Sequence, residues 1–462
     1  MRARPSIIAA GAVLALAAPV RAQTPEPAPP PPTPDESRPT TPPPQAPESN
    51  RAPPQPQPPP ATEPEAPQGL GSTDPYTVQR ERAPAPNPRE RFEIYGSIVT
   101  DVGIDFGQIG NPDWQDVLRP TKLPAFSDQF GEEPRSLLSV RQTRFGVKSL
   151  LPTKVGDIDT TFEFELFGVG VDTGQTTFRL RHAYGDWRFL RAGQTWSPFM
   201  DIDVFPNSLE YWGPPGMVFF RNVQLAWLAI RGDSRVTVAI ERPGATADIS
   251  NYRDRIELED IIPRFPAPDV SAEGRLAFPW GYVEAAGIFR FINWDDTNPA
   301  PPDLSGHAFG WGVNFSSNVK LGSALLKLQA AYGWGIENYM NDASDDIGPE
   351  ATGNVLRPLE GEPLGVLGLV AFVDLEWSKR FTSSAGWSMV WIDNSSGQAP
   401  DAFHLGHYAL ANLLWHPTEK LVIGGEFQYG RRENNRDDFA VNDFKLQFSF
   451  RFMFSKLFGG EP

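Results

Sequence analysis

Between residues 444 and 454 large apolar side chains hold every second position: Phe444, Leu446, Phe448, Phe450, Phe452 and Phe454 share one parity, and Lys445, Gln447, Ser449, Arg451 and Met453 the other. Alternation at period two belongs to a β-strand with two unlike faces, because successive side chains point to opposite sides of a sheet. A stripe this aromatic has two homes. It either packs inside a sandwich or faces acyl chains on the outside of a barrel wall, with the polar side toward water within. The texture starts at Phe92 and recurs in sixteen segments: about 92–104, 136–149, 158–168, 176–185, 187–195, 219–231, 235–242, 270–278, 281–291, 305–317, 321–336, 364–380, 387–394, 403–415, 420–431 and 442–454.

The connections choose between the two homes. Long ones run near 105–135, 196–218, 243–269, 292–304 and 337–363, and short ones are read at Gly185-Asp186, Gly232-Asp233-Ser234, Pro279-Trp280, Asn318-Val319-Lys320 and His416-Pro417-Thr418-Glu419. Long loops at one rim and tight turns at the other are the rhythm of an up-and-down barrel, and an even strand count brings both chain ends to the short-turn rim. The prediction is an all-β fold, a 16-stranded antiparallel transmembrane β-barrel over residues 91–458. Trp187, Trp280, Tyr282, Trp377, Trp387 and Trp415 fall near short connections, where an interfacial aromatic girdle would lie.

The N-terminal part reads differently. Arg2 and Arg4 precede an apolar run from Ile7 to Val20, and Val20-Arg21-Ala22 places small residues around a cleavage point, so residues 1–22 read as a secretory signal peptide. Residues 23–90 hold 24 prolines in 68 positions and almost no large apolar side chains, so they cannot bury a core; they read as a disordered, extended periplasmic linker. After Ala22 the longest apolar run is Leu364–Val373, ten residues with two glycines, too short for a spanning helix.

Composition removes several functions. Forty-one Lys and Arg against 57 Asp and Glu give a net charge of −16, a field that repels phosphate backbones, so no nucleic-acid partner is expected. Zero cysteine excludes disulfides, thiolate metal sites and cysteine nucleophiles. His404 and His407 lie three apart, which on a strand points them to opposite faces, and no Ser and His form a convincing pair. Neither a catalytic residue, a metal site nor a cofactor is expected, and a barrel lipase ranks last among the readings. The acidic stretch Asp342, Asp345, Asp346 and Glu350 is read as a solvated loop, with divalent cations bridging lipopolysaccharide as its alternative.

Parity nominates the pore residues. Arg144, Arg179, Arg181 and Arg191 each oppose apolar neighbours on their strands and lie at similar counts from the short turns, so they converge as a cationic ring on one wall. Glu163 and Glu165 share that face from the intervening strand. Two readings therefore stand: an anion-selecting ring, or internal salt-bridge girders. The connection 196–218, WSPFMDIDVFPNSLEYWGPPGMV, is too apolar for an exposed loop; folded into the lumen it would offer Asp201, Asp203 and Glu210 to the channel, and the competing view is an external cap or subunit latch.

The stretches RQTRFGVKS (141–149), FRLRHAYGDW (178–187), AGQTWSPFMDIDVFPNSLEYWGPPG (192–216) and RNVQL (221–225) together resemble the DcaP-like trimeric porins of Gram-negative outer membranes. The resemblance spans roughly residues 90–458. It implies sixteen strands, a homotrimer in outer-membrane lipid and lipopolysaccharide, an inward-folded third loop, and arginines favouring small anionic solutes such as dicarboxylates. Carried over by position, those arginines are Arg144, Arg179, Arg181 and Arg191. Family members carry a helical segment ahead of the barrel where this chain has its proline tract, and Ser455–Pro462 follow the last stripe residue, Phe454. The leading reading is a passive outer-membrane porin. The alternative is a structural envelope protein that binds peptidoglycan or a periplasmic partner through residues 23–90.

Overall fold

The computed structural model describes residues 90–459, apart from 108–109, 132–133, 249–251, 253–257, 259, 299–300 and 356. The signal peptide and nearly all of the proline tract lie outside the described residues.

Sixteen wall strands close into one antiparallel barrel. They are β1 (Arg91–Asp105), β2 (Arg135–Ser139 and Arg144–Leu151), β3 (Ile158–Phe167), β4 (Thr176–Trp187), β5 (Leu190–Trp196), β6 (Arg221–Ile230), β7 (Arg235–Glu241) and β8 (Ile261–Arg264 and Asp269–Phe278). The second half comprises β9 (Gly281–Asp296), β10 (Gly306–Leu321), β11 (Ala324–Trp334), β12 (Gly365–Ser378), β13 (Phe381–Asp393), β14 (Phe403–Thr418), β15 (Leu421–Asn434) and β16 (Ala440–Gly459). Each segment read from the sequence corresponds to one of these. β1 pairs with β16 from Arg91↔Gly459 to Asp105↔Lys445, so no strand edge is left at the seam and Phe458 extends the last strand. A further hairpin, Ile347–Asn354 with Arg357–Pro363, belongs to the loop between β11 and β12.

The faces follow the alternation. Phe448, Phe450 and Phe452 are exposed on the outside, while Lys445, Gln447 and Ser449 are buried within. Trp280, Trp377 and Trp415 are likewise exposed near turns, but Tyr282 points inward, where its hydroxyl donates to Asp201.

Two turns fall wholly elsewhere than the sequence suggested, and a third, read at His416-Pro417-Thr418-Glu419, is displaced to Glu419-Lys420. The β4–β5 turn is Arg188-Phe189, with Arg188 in the left-handed region at φ 53°, so Gly185 and Asp186 lie within β4. The β10–β11 turn is Gly322-Ser323, not Asn318–Lys320. In both cases a polar or glycine-containing strand end imitates a turn.

The lumen is not open throughout. Phe199, Met200, Val204, Met217 and Val218, from the connection after β5, form a core with the inward residues Val366, Val370, Phe372, Val390 and Tyr408 of β12 to β14. This explains the run Leu364–Val373: one face of β12 meets lipid and the other meets the inserted loop.

Candidate pore and its arginine cluster

Loop 3, residues 197–220, leaves the wall where β5 ends and crosses the lumen to lie on the opposite wall. Its backbone is tied down by wall side chains. The Glu426 carboxylate accepts from the Leu209 and Glu210 N–H groups at 2.8 and 3.0 Å, Asn412 donates to the Asn207 carbonyl at 2.8 Å, and the Gly216 N–H donates to Ser388 Oγ at 3.0 Å. A Cβ at Gly216 would collide with the Met389 carbonyl, so only glycine lets the loop touch the wall backbone there.

The loop acids serve mostly as anchors rather than channel lining. Asp201 is wholly buried and accepts from Arg275, Tyr282 Oη at 2.6 Å and Ser316 Oγ at 2.6 Å. Glu210 is buried too, accepting from the Leu118 N–H at 3.3 Å and from the Gly213 N–H; burial pushes its carboxyl up to about 7. Asp203 also pairs with Arg275, but half of its side chain remains open to water. Parity in a loop is undefined, so sequence alone could not separate the anchor from the lining.

Opposite loop 3, four guanidiniums converge on one carboxylate. Glu165 on β3 is fully buried, and Arg144 and Arg179 are its direct cross-strand neighbours on β2 and β4. Arg181 binds it at 2.6 Å and binds Glu163 at 2.6 Å. Arg144, Arg179 and Arg221 stand farther off, at 3.5, 3.7 and 3.6 Å. Tyr211 of loop 3 donates its hydroxyl to the same carboxylate and stacks on Phe167 at 4.0 Å.

Four arginines face two carboxylates, Glu163 and Glu165, leaving two positive charges in excess. Accessibility divides them: the side chains of Arg181 and Arg221 are 4% and 6% exposed, those of Arg144 and Arg179 38% and 29%. Arg181 is a girder, whereas Arg144 and Arg179 offer donors to water. A register shift at Arg181 turns both it and His182 toward the interior, where His182 Nδ1 meets Thr195 Oγ1 at 3.0 Å.

Arg191 is not brought to this cluster. Because the β4–β5 turn is at Arg188-Phe189, Arg191 is only the second residue of β5, and it forms a two-bond pair with Asp186 at 2.7 and 2.8 Å, shared with Arg231.

Sequence reasoning missed Arg221 and Arg119. Arg221 has the parity of the outward Val223 and Leu225, yet it is the first residue after the inserted loop and its guanidinium lies 5.0 Å from the Trp196 ring, inside. Its adjacency to loop 3 was the available signal. Arg119, from the β1–β2 connection, is sandwiched between Trp114 and Trp212 at 4.2 and 3.9 Å and pairs with Asp342 at 2.7 Å.

Asp342 and Asp346, read as part of a solvated loop, are buried internal anchors; Asp346 holds Arg290 at 2.7 Å. Among the described residues no group of three or more His, Asp or Glu is disposed to hold a metal ion. His404 meets Asn394 at 2.8 Å and Trp391, and His407 stacks on Trp387; a register shift at Phe403/Leu405 brings both to the outward side rather than to opposite faces, each with its own tryptophan.

Two cavities flank the cluster. One of about 320 Å³ is lined by Arg119, Arg179, Arg221, Tyr211 and Glu337. The other, about 330 Å³, is lined by Arg191, Arg231, Arg235, Asp203 and Glu273. Among the described residues neither carboxyl oxygen of Glu337 meets a hydrogen-bond partner, and burial pushes its carboxyl well above the usual carboxylate range.

A closed cylinder with an oily exterior, a polar interior and a loop laid across its lumen is an outer-membrane β-barrel of the porin type. A family model described as DcaP outer membrane protein matches residues 84–267, and the resemblance to the DcaP-like porins is borne out. No curated protein matches the chain. Among solved structures, the chain is similar to the outer membrane channel DcaP of Acinetobacter baumannii, at 16% identity over 79% of this chain and 97% of that one, with a TM-score of 0.65. It is also similar to an anion-selective porin from Comamonas acidovorans, at 10% identity over 79% of this chain and all of that one, with a TM-score of 0.50.

Proposed function

We propose that this porin passes small anionic solutes, carboxylates among them, along a route that Arg144 and Arg179 line. The observation that carries the reading is the convergence of four guanidiniums on Glu165, with two of them about a third open to water. In a narrow, low-dielectric passage uncompensated guanidiniums attract anions and repel cations, and their paired donors suit carboxylate geometry. The Comamonas porin of similar fold, named as anion-selective, supports the same direction.

Single-channel recording in planar bilayers under a salt gradient tests it. The expected reversal potential favours the anion, and Arg144→Glu or Arg179→Glu moves it toward the cation with the barrel intact. A cation-selective wild type overturns the proposal; unchanged selectivity in both variants reduces the cluster to girders.

Assembly as a homotrimer in outer-membrane lipid and lipopolysaccharide is part of this reading. So are export by residues 1–22 and a periplasmic spacer role for 23–90. Deleting 23–90 is expected to leave conductance unchanged. If the same deletion abolishes co-sedimentation with peptidoglycan, the tract is also a tether.

A further inference from the structure

Buried polar groups almost always find hydrogen-bond partners, so several unpaired ones around a single space point to a ligand that pairs them. The cavity of about 320 Å³ beside the arginine cluster gathers three such residues. Arg221 Nη1, both carboxyl oxygens of Glu337 and Ser344 Oγ are buried and, among the described residues, meet no partner. Arg221 opens β6, whereas Glu337 and Ser344 belong to the loop between β11 and β12, so the wall and that loop bring a cation and an acid to one space.

The charges already in place do not answer these two. Arg119, which also lines the cavity, is held by Asp342 at 2.7 Å. Arg179 and Arg221 reach Glu165 only at 3.7 and 3.6 Å, while Arg181 holds it at 2.6 Å. Glu337 feels the repulsion of Asp346 and the attraction of Arg290, but Arg290 is engaged by Asp346 at 2.7 Å and Asp269 at 3.1 Å. Glu337 therefore has no cation of its own. A ligand that completes the site brings a carboxylate to the guanidiniums and a charged donor to Glu337. A second carboxylate is the wrong group there, because it meets Glu337 and Asp346 with like charge.

We propose that this cavity is a binding subsite for small amino-carboxylates, the carboxylate held by Arg179 and Arg221, the ammonium by Glu337, with Ser344 as a further point of attachment. The proposal deepens the porin reading above and rests on it for the route by which the solute arrives. Burial keeps the Glu337 carboxyl well above the usual carboxylate range, so an arriving ammonium displaces its proton. Uptake then releases a proton and tightens as pH rises from 5 to 8, a range in which guanidinium and alkylammonium groups keep their charge. A dicarboxylate needs that proton and weakens over the same range.

The test is equilibrium binding, followed by ligand-observed NMR, to full-length protein folded in detergent, a measurement that does not depend on conduction. The probes are β-alanine and 4-aminobutyrate against propionate, butyrate and succinate, which match them in carbon number. The better amino-carboxylate is expected to bind about tenfold more tightly than the simple carboxylate of its length, the worth of one charge-assisted pair, and more tightly than succinate. Its binding tightens from pH 5 to pH 8. Glu337→Gln removes most of the tenfold advantage, and Arg221→Gln weakens amino-carboxylates and simple carboxylates alike, with thermal midpoints reporting that both variants fold. Equal binding of all probes or none, as in a cavity that takes up water only, overturns the proposal. So does tightest binding of succinate, or an advantage that survives Glu337→Gln. If Glu337→Gln does not fold, the wild type decides: an advantage independent of pH overturns the assignment of Glu337. A protein that binds amino-carboxylates as expected but forms no pores in planar bilayers removes the porin reading and leaves the subsite standing.

Discussion

Glu165 shows how one buried carboxylate distinguishes arginines that are alike in sequence. Arg181 lies against it with almost no exposure, and Arg144 and Arg179 reach it only at 3.5 and 3.7 Å with solvent beside them. Removing a partner from a buried pair leaves an uncompensated charge, so Arg181→Met is expected to cost about 3–5 kcal/mol. A lowered urea or thermal midpoint in detergent would register it. Arg144→Gln should change stability by under about 1 kcal/mol, because its guanidinium is over a third exposed and Arg181 still holds Glu165. The same variant should still weaken anion preference, so the two substitutions separate girder from lining. Parity placed Arg144, Arg179 and Arg181 inside, but Arg191 was misassigned by a turn read three residues early. Arg221 was hidden because parity counts within a strand and cannot describe its first residue after an inserted loop.

At the scale of elements, loop 3 fills part of the lumen against the inner wall. It was recognisable as buried from its apolar and aromatic content, yet its acids were read as channel lining, and Asp201 and Glu210 proved to be anchors. Gly216→Val would force the loop away from the Met389 carbonyl. The expected result is a larger, noisier single-channel conductance and a loss of about 1–3 kcal/mol. Glu210 makes the loop sensitive to pH. Its folded pKa is about 7 against an ordinary 4.5, so between those values the folded protein binds more protons than the unfolded one. Stability from this group therefore falls as pH rises through 7 and is fully present below about 4.5. Thermal midpoints of wild type and Glu210→Gln, compared at pH 5 and pH 8, should converge at the lower pH. A gap independent of pH would contradict this.

For the whole molecule, the membrane supplies the organising force. Phe450 lies midway along β16 on the outer face, and Phe450→Arg is expected to cost about 2–4 kcal/mol of barrel stability in phospholipid vesicles, read by reversible denaturant unfolding. Ser449→Ala, on the buried inner face beside it, removes only hydrogen bonds to Asp101 and Gln447 and should cost less. The sequence by itself determined the strand number, the faces and the closed cylinder. Those properties depend on local alternation and connection length, which each segment carries on its own. Only the tertiary structure decided which arginines reach water and which acids are anchors. These depend on what lies across the lumen and on where a strand leaves the sheet, and no count along a single strand contains that information.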